Sequence, residues 1–145
     1  MLTISPNGLI TEVLDLILQI PEFEDIHQQK DFEKRFSGKK YLILIAYWNG
    51  RRAGFNVGYD RFGDGSFYCW LQAVLPEYRR KYIADRLTRE LEIWAKEKGF
   101  RKIIVKTRNK FPNMLHLLLK NNYSIFEIEK KDNIRENRIV LEKVF

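Results

Sequence analysis

Cysteine occurs once in these 145 residues, at position 69. A lone cysteine rules out an internal disulfide framework and any zinc site built from several cysteines. Histidine is almost as scarce. His27 and His116 have no Cys, His or carboxylate at metal-ligand spacing, so both are expected as exposed helix residues and no metal is implied. Long apolar runs are also missing. The longest, YLILIAYW at 41–48, falls far short of the roughly 20 residues a membrane span needs, so no membrane partner is expected. The opening MLTISPNGLITEVLDLIL has no basic leader and does not read as a signal peptide, which makes cytoplasmic the expected location. No repeat, low-complexity tract or Pro/Gly/Ser-rich linker interrupts the chain, so residues 1–145 are expected to form a single domain.

What is present is globular in composition: 45% hydrophobic, 14% aromatic and 31% charged residues. The net charge of +7 is not spread evenly. Residues 76–110 hold 12 Lys/Arg against 5 Asp/Glu, whereas residues 1–75 hold 8 against 9 and residues 111–145 hold 6 against 5. One stretch of 35 residues therefore carries all the net positive charge. Such a zone suits a polyanionic partner, nucleic acid or a phosphorylated cofactor, or else it is a solvated helix face.

Periodicity supplies the elements. MLTIS is a short strand stopped by Pro6, Asn7 and Gly8. Leu9, Ile10, Val13, Leu14, Ile17 and Leu18 form the apolar face of a helix that Pro21 ends. EDIHQQKDFEKRFSG predicts a second helix packed through Ile26, Phe32 and Phe36 and stopped at Gly38. Residues 40–75 read as three strands, with Asn49–Gly50 as a tight hairpin and the GDG at 63–65 as a second reversal. Ile83, Leu87, Leu91 and Trp94 mark a third helix ending before Gly99. KIIVKT is a buried strand, PNMLHLLLKNN a helix opened by Pro112, and YSIFEIEKK and RIVLEKV a final strand pair. The expected fold class is α/β (α+β): a single mixed, mostly antiparallel sheet flanked by helices, in the order β-α-α-β-β-β-α-β-α-β-β. Residues 67–107 form a strand-helix-strand unit that pairs in parallel through a right-handed crossover.

The charge maximum falls at the turn of that unit. AVLPEYRRKYIADRL, residues 73–87, runs from a strand through Pro76 into Arg79, Arg80 and Lys81, and a helix starts directly afterwards. Free N–H groups at a helix start bind phosphate, and three cations beside them reinforce the cradle. LQAVLPEYRRKYIADRL resembles the acetyl-coenzyme A binding motif of the GNAT N-acetyltransferase superfamily. In that motif an apolar-Ala-Val-x-Pro-Glu-Tyr strand end is followed by R/Q-x-x-G-x-G/A opening a helix. Leu71, Ala73, Val74, Pro76, Glu77, Tyr78 and Arg79 match, Ile83 fits the apolar position and Ala84 the final small one. RNKFPNMLHLLLKNNYSI is similar to the family's second motif, and the order of elements agrees along nearly the whole chain. Three positions depart: Tyr82 stands at the first motif glycine, Leu118 stands where many members have a tyrosine that protonates the coenzyme A thiolate, and Asn122 replaces the second motif's usual glycine, asparagine being the next best residue for positive φ.

The resemblance implies transfer of acetyl from acetyl-coenzyme A directly to an amine acceptor. It implies a cofactor site of Ala73, Val74, Arg79, Arg80, Lys81, Tyr82, Ile83, Ala84 and Asp85, with Asn109, Pro112, Met114 and Leu118 flanking the far side of the pantetheine arm. Met114 and Leu118 are as readily core. The implied catalytic set is the backbone amide of Gln72 beside Ala73 and Val74 on a bulged strand, Tyr68 as a water-ordering group, and Asp60 as the acid nearest the acceptor cleft, unless it is a turn residue. Glu22 and Glu24 lie in the acceptor-binding region, Tyr123 or Tyr82 could replace the acid lost at Leu118, and Cys69 is expected in the core. A homodimer is a further implication. Two other readings stand beside this one: a catalytically silent acyl-coenzyme A sensor, and a nucleic-acid-binding module, for which no groove-reading or base-stacking motif is present.

Overall fold

The computed structural model describes residues 1–25 and 27–145. Its elements are β1 (Leu2–Ser5), α1 (Ile10–Ile17), α2 (Gln29–Phe36), β2 (Tyr41–Trp48), β3 (Arg51–Tyr59), β4 (Ser66–Val74), α3 (Ile83–Glu97), β5 (Lys102–Arg108), α4 (Pro112–Lys120), β6 (Ser124–Glu129) and β7 (Arg138–Val144). This is the expected order. Short 3₁₀ turns occupy Pro76–Tyr78 and Ile134–Glu136. The strands form one sheet ordered β1-β2-β3-β4-β5-β7-β6, antiparallel except for β4 against β5.

Helices cover both faces, which is why β2 reads as a continuous apolar run rather than an alternating one. Leu42, Leu44 and Ala46 face α3, while Ile43 and Ile45 face α1 and α2. The α3 side is packed with Phe67, Ile83, Leu87, Leu91, Ile103 and Leu141. The α1/α2 side is aromatic: Phe32, Phe36, Phe55, Tyr59, Tyr68 and Trp70 meet there. The two reversals and the end of α3 have the expected chemistry, with Gly63 (φ 63°) and Gly65 (φ 91°) in the β3–β4 reversal. Asn49 (φ 50°) and Gly50 (φ 83°) make the β2–β3 turn, and Gly99 (φ 91°) follows the C-cap of α3.

The first two helices differ from expectation. Leu9 is the N-cap of α1, and its N–H donates to Glu12 Oε1 at 2.9 Å, while Leu18 is already the C-cap. With only eight residues in the helix, the buried face is Val13, Leu16 and Ile17, joined by Ile20, and both Leu9 and Leu18 are exposed. The second helix begins five residues later than Glu24, at Gln29, because the Gln28 N–H finds the Asp31 carboxylate at 2.9 Å and starts the helix there. His27 thus precedes the helix, half-buried against Phe23, Phe32 and Trp70, with its Nδ1 buried and unpartnered among the described residues. His116 is exposed on α4 as expected. Ile26 lies outside the described residues.

Candidate active site

Strand β4 positions the site by leaving its neighbour. Ser66–Cys69 pair with Lys102–Val105, and there the parallel ladder stops, although β4 continues to Val74 and β5 to Arg108. Beyond Cys69 the strands splay. On its other edge β4 stays paired with β3, from Gly54↔Val74 to Val57↔Leu71, and then Gly58 pairs with Cys69. Trp70 is the extra residue, a β-bulge at the point where the wedge opens. The peptide groups of residues 71–74 that face the wedge have no strand against them.

The bulge also resets the alternation of side chains. Trp70 and Leu71 both face the α1/α2 layer, so Cys69 and Gln72 share the α3 face. There they form a buried polar cluster. Asn56 Nδ2 donates to the Leu87 carbonyl at 3.3 Å, the Cys69 thiol donates to Asn56 Oδ1 at 3.0 Å, and Gln72 Nε2 donates to the Ala84 carbonyl and to Thr88 Oγ1, both at 3.1 Å. Strand side chains thereby hold the first half of α3 to the sheet. A polar residue in the middle of an apolar strand, as at Asn56, was the signal for this cluster, and it was not read from the sequence.

At the exit of β4 the backbone enters α3 through two left-handed residues, Arg80 (φ 64°) and Tyr82 (φ 61°). Tyr82 is the N-cap. The first helical bond runs from Arg86 N–H to its carbonyl at 3.2 Å, so the N–H groups of Ile83, Ala84 and Asp85 are the free donors of the first turn. A groove of about 390 Å³ opens there, lined by Val74, Arg80, Tyr82, Ile83 and Ala84 among others. The turn is not sealed.

The three cations separate. Arg79 also lines the groove, but its side chain is committed: its Nε donates to the Val74 carbonyl at 3.1 Å and its guanidinium holds Glu22 at 2.9–3.0 Å. That hydrogen bond keeps the Glu22 carboxyl below its ordinary range. Lys81 Nζ lies 5.0 Å over the Trp48 ring. Arg80 is left exposed beside the groove.

The other expected residues fall into separate places. Asp85 faces α4, accepting from Lys120 Nζ and Asn121 Nδ2 at 3.1 Å each. Asn109 Nδ2 donates to the Ile134 carbonyl at 2.8 Å, and Pro112 opens α4. Leu118 is in the core and Met114 packs partly against it. Tyr68 is buried in the aromatic layer under Arg61, and burial raises its phenol pKa. Asp60 accepts from Gly63 N–H at 3.2 Å as a turn residue, at the hairpin end of β4, about 20 Å of strand from Val74 at roughly 3.3 Å per residue. Glu24 pairs with Lys110 at 3.4 Å, so neither Glu22 nor Glu24 offers a free charge. Tyr123 is buried, its hydroxyl donates to Glu92 at 2.8 Å, and burial drives its pKa upward. Tyr82 points to solvent. Among the described residues no group of three or more His, Cys, Asp or Glu could hold a metal ion, and no helix is long and apolar enough to cross a membrane.

The bulged strand thus splays from its parallel neighbour and ends at a helix start with no side-chain cap. The chain belongs to the acetyltransferase (GNAT) family, whose model matches residues 10–123. It is similar to the Acinetobacter baumannii aminoglycoside N(6')-acetyltransferase type 1, at 33% identity over 85 residues, 53% of this chain and 58% of that one. The chain thus spans somewhat over half the length of that curated relative. The fold is similar to the ribosomal-protein-S18-alanine N-acetyltransferase of Escherichia coli, with a TM-score of 0.80 and 19% identity, covering 98% and 92% of the two chains. A GNAT acetyltransferase from Elizabethkingia anophelis solved with acetyl-CoA bound is similar at a TM-score of 0.76 and 19% identity, covering 99% and 98%.

Proposed function

We propose that this protein transfers an acetyl group from acetyl-coenzyme A to an amine. The observation that carries the reading is the splay of β4 from β5 at Trp70, leading to the open start of α3. The residues present suit the donor. The N–H groups of Ile83, Ala84 and Asp85, with Arg80 beside them, meet a diphosphate at the positive end of α3. The unpaired edge of Leu71–Val74 gives an extended arm a strand to pair with, and Asn109, Pro112 and Met114 stand across the wedge.

Acetyl-coenzyme A, when bound, supplies an activated acyl carbon. The N–H of Gln72, just past the bulge on the edge that faces the wedge, is a fixed donor for the negative charge that develops on the thioester oxygen. The wedge aligns acceptor and donor, a contribution of roughly 7–11 kcal/mol in well-oriented cases. The acceptor amine must lose a proton before it attacks, and His27, against Trp70 at the bulge with its Nδ1 unpartnered among the described residues, suits that step. With Leu118 in the core and the Tyr123 hydroxyl committed to Glu92, the thiolate leaves without a tyrosine acid.

The test is calorimetric titration of coenzyme A into the wild type and Arg80→Glu, beside thiol release against a panel of primary amines. The expectation is at least a tenfold loss of coenzyme A affinity in the variant and release with one or more amines. Unchanged affinity refutes the donor site, whereas coenzyme A binding with no release on any amine supports the silent sensor.

A further inference from the structure

A second cleft lies at the opposite end of the sheet from the α3 start, where the α2–β2 loop, the β3–β4 hairpin and the α3–β5 loop converge. Its volume is about 660 Å³, within the range of ligand clefts, about 300–1,000 Å³. Lys39, Lys40, Arg61 and Lys98 line it. Among the described residues none of the four has a carboxylate within salt-bridge distance. This contrasts with β5, where Lys102, Lys106 and Arg108 are each paired. The one lining carboxylate, Asp60, is occupied by the Gly63 N–H.

Each cation lies against an aromatic ring instead. Lys39 is 5.8 Å from the Tyr59 centroid, Lys40 5.9 Å from Phe100, Lys98 5.8 Å from Trp94, and Arg61 lies over both Phe62 and Tyr68 at 5.4 and 4.9 Å. Phe62 stands 43% exposed at the rim, a large apolar ring with one face toward solvent. Four glycines line the walls, so bare backbone borders the charge.

We propose that this cleft binds single-stranded nucleic acid, with phosphates on Lys39, Lys40, Arg61 and Lys98 and a base stacked on Phe62. Unpaired cations supply the sequence-independent attraction to phosphate, and an exposed ring among them is the stacking platform that a base-free polyphosphate does not need. The site is separate from the donor groove, so the two ligands bind together.

Fluorescence anisotropy of a labelled oligothymidylate tests this, with and without saturating coenzyme A. Four phosphate contacts weaken single-strand binding about fifty-fold between about 50 and 200 mM salt. Lys40→Glu/Arg61→Glu is expected to lower affinity at least tenfold, and Lys98→Glu, exposed at the end of α3, gives a second charge reversal that spares the fold. Phe62→Ala is expected to lower affinity at least about fivefold. Coenzyme A should not compete, and thiol release in the double variant should match the wild type. No binding at low salt, competition by coenzyme A, or loss confined to Arg80→Glu overturns the proposal. So does full displacement by tripolyphosphate with Phe62→Ala neutral.

Discussion

Tyr82 tests the geometry of the donor turn directly. Its φ of 61° and ψ of 20° place a bulky L-residue in the left-handed region, which costs roughly 1–2 kcal/mol. Tyr82→Gly removes that strain. Against the gain stand the extra freedom of glycine in the unfolded chain, about 0.4–1 kcal/mol, and the loss of whatever Tyr82 contributes. That contribution is small: the side chain is 75% exposed, and among the described residues its ring meets one cation, Lys120 Nζ at 5.9 Å. The net expectation is a gain of about 0.5 kcal/mol for Tyr82→Gly. Tyr82→Ala keeps the strain and loses the ring, so it should fall slightly below the wild type. The sharper quantity is the difference between the two variants, with glycine more stable than alanine by about 1 kcal/mol. In a right-handed helical turn the sign reverses, because glycine there is worse than alanine by roughly 0.5–1 kcal/mol. Urea unfolding with a common m-value reads the difference from the midpoints. If alanine proves the more stable of the pair, the left-handed N-cap is wrong. The same variant bares the backbone beside the free N–H groups, so coenzyme A should bind Tyr82→Gly at least as tightly as the wild type.

Three further outcomes follow from the same contacts. Arg79 holds the α1–α2 loop through Glu22, an exposed pair of at most about 1 kcal/mol. Because Arg79 keeps the folded-state pKa of Glu22 below its ordinary 4.5, that contribution is present above pH 4.5 and lost as pH falls through the lowered value. Glu22→Gln should lower stability at neutral pH by at most about 1 kcal/mol, and the difference from the wild type should vanish as pH falls through the lowered value, flattening the curve in that acid window. Burial pushes the Cys69 thiol from 9.0 up to about 12, so stability associated with it is complete below pH 9 and declines as pH rises toward 12. A thiol reagent at pH 8 should label Cys69 only after unfolding, and labelling of the native protein would contradict its burial. Asn56→Ala removes two buried hydrogen bonds and leaves a hole beneath α3, with an expected loss of about 2–3 kcal/mol in chemical denaturation.

Where the sequence was legible, one element carried its own signal. The strand order was readable because turns are chemically marked: Asn49, Gly50, Gly63, Gly65 and Gly99 sit at positive φ, which their residue types favour. The donor turn was readable because proline, cations and a helical stripe are contiguous in the chain. Features that need two elements to meet were not. The bulge on β4 was implied by the family resemblance alone: its place at Trp70 depends on how β4 pairs with β3, and no residue type in LQAV announces it. The start of α2 turned on one carboxylate, Asp31, reaching back to Gln28. Glu22 and Glu24 looked like free acids in the chain, yet their partners, Arg79 and Lys110, come from 57 and 86 residues away. Asp85 has the same history: acidic in the first turn of α3, it is claimed by α4.

Crowding three cations at the positive end of a helix is unfavourable if all three stay there. The structure disperses them. Arg79 is neutralised by Glu22 and anchored on the Val74 carbonyl, Lys81 rests over Trp48, and only Arg80 stays unpaired beside the groove. A local excess of charge in the sequence thus becomes a graded arrangement, in which one cation fixes the α1–α2 loop, one rests on a ring and one stays exposed beside the groove. Because Arg79 contacts both the end of β4 and the α1–α2 loop, the exit of β4 and that loop share one ion pair. The residue that matches the family motif is therefore a brace between two elements.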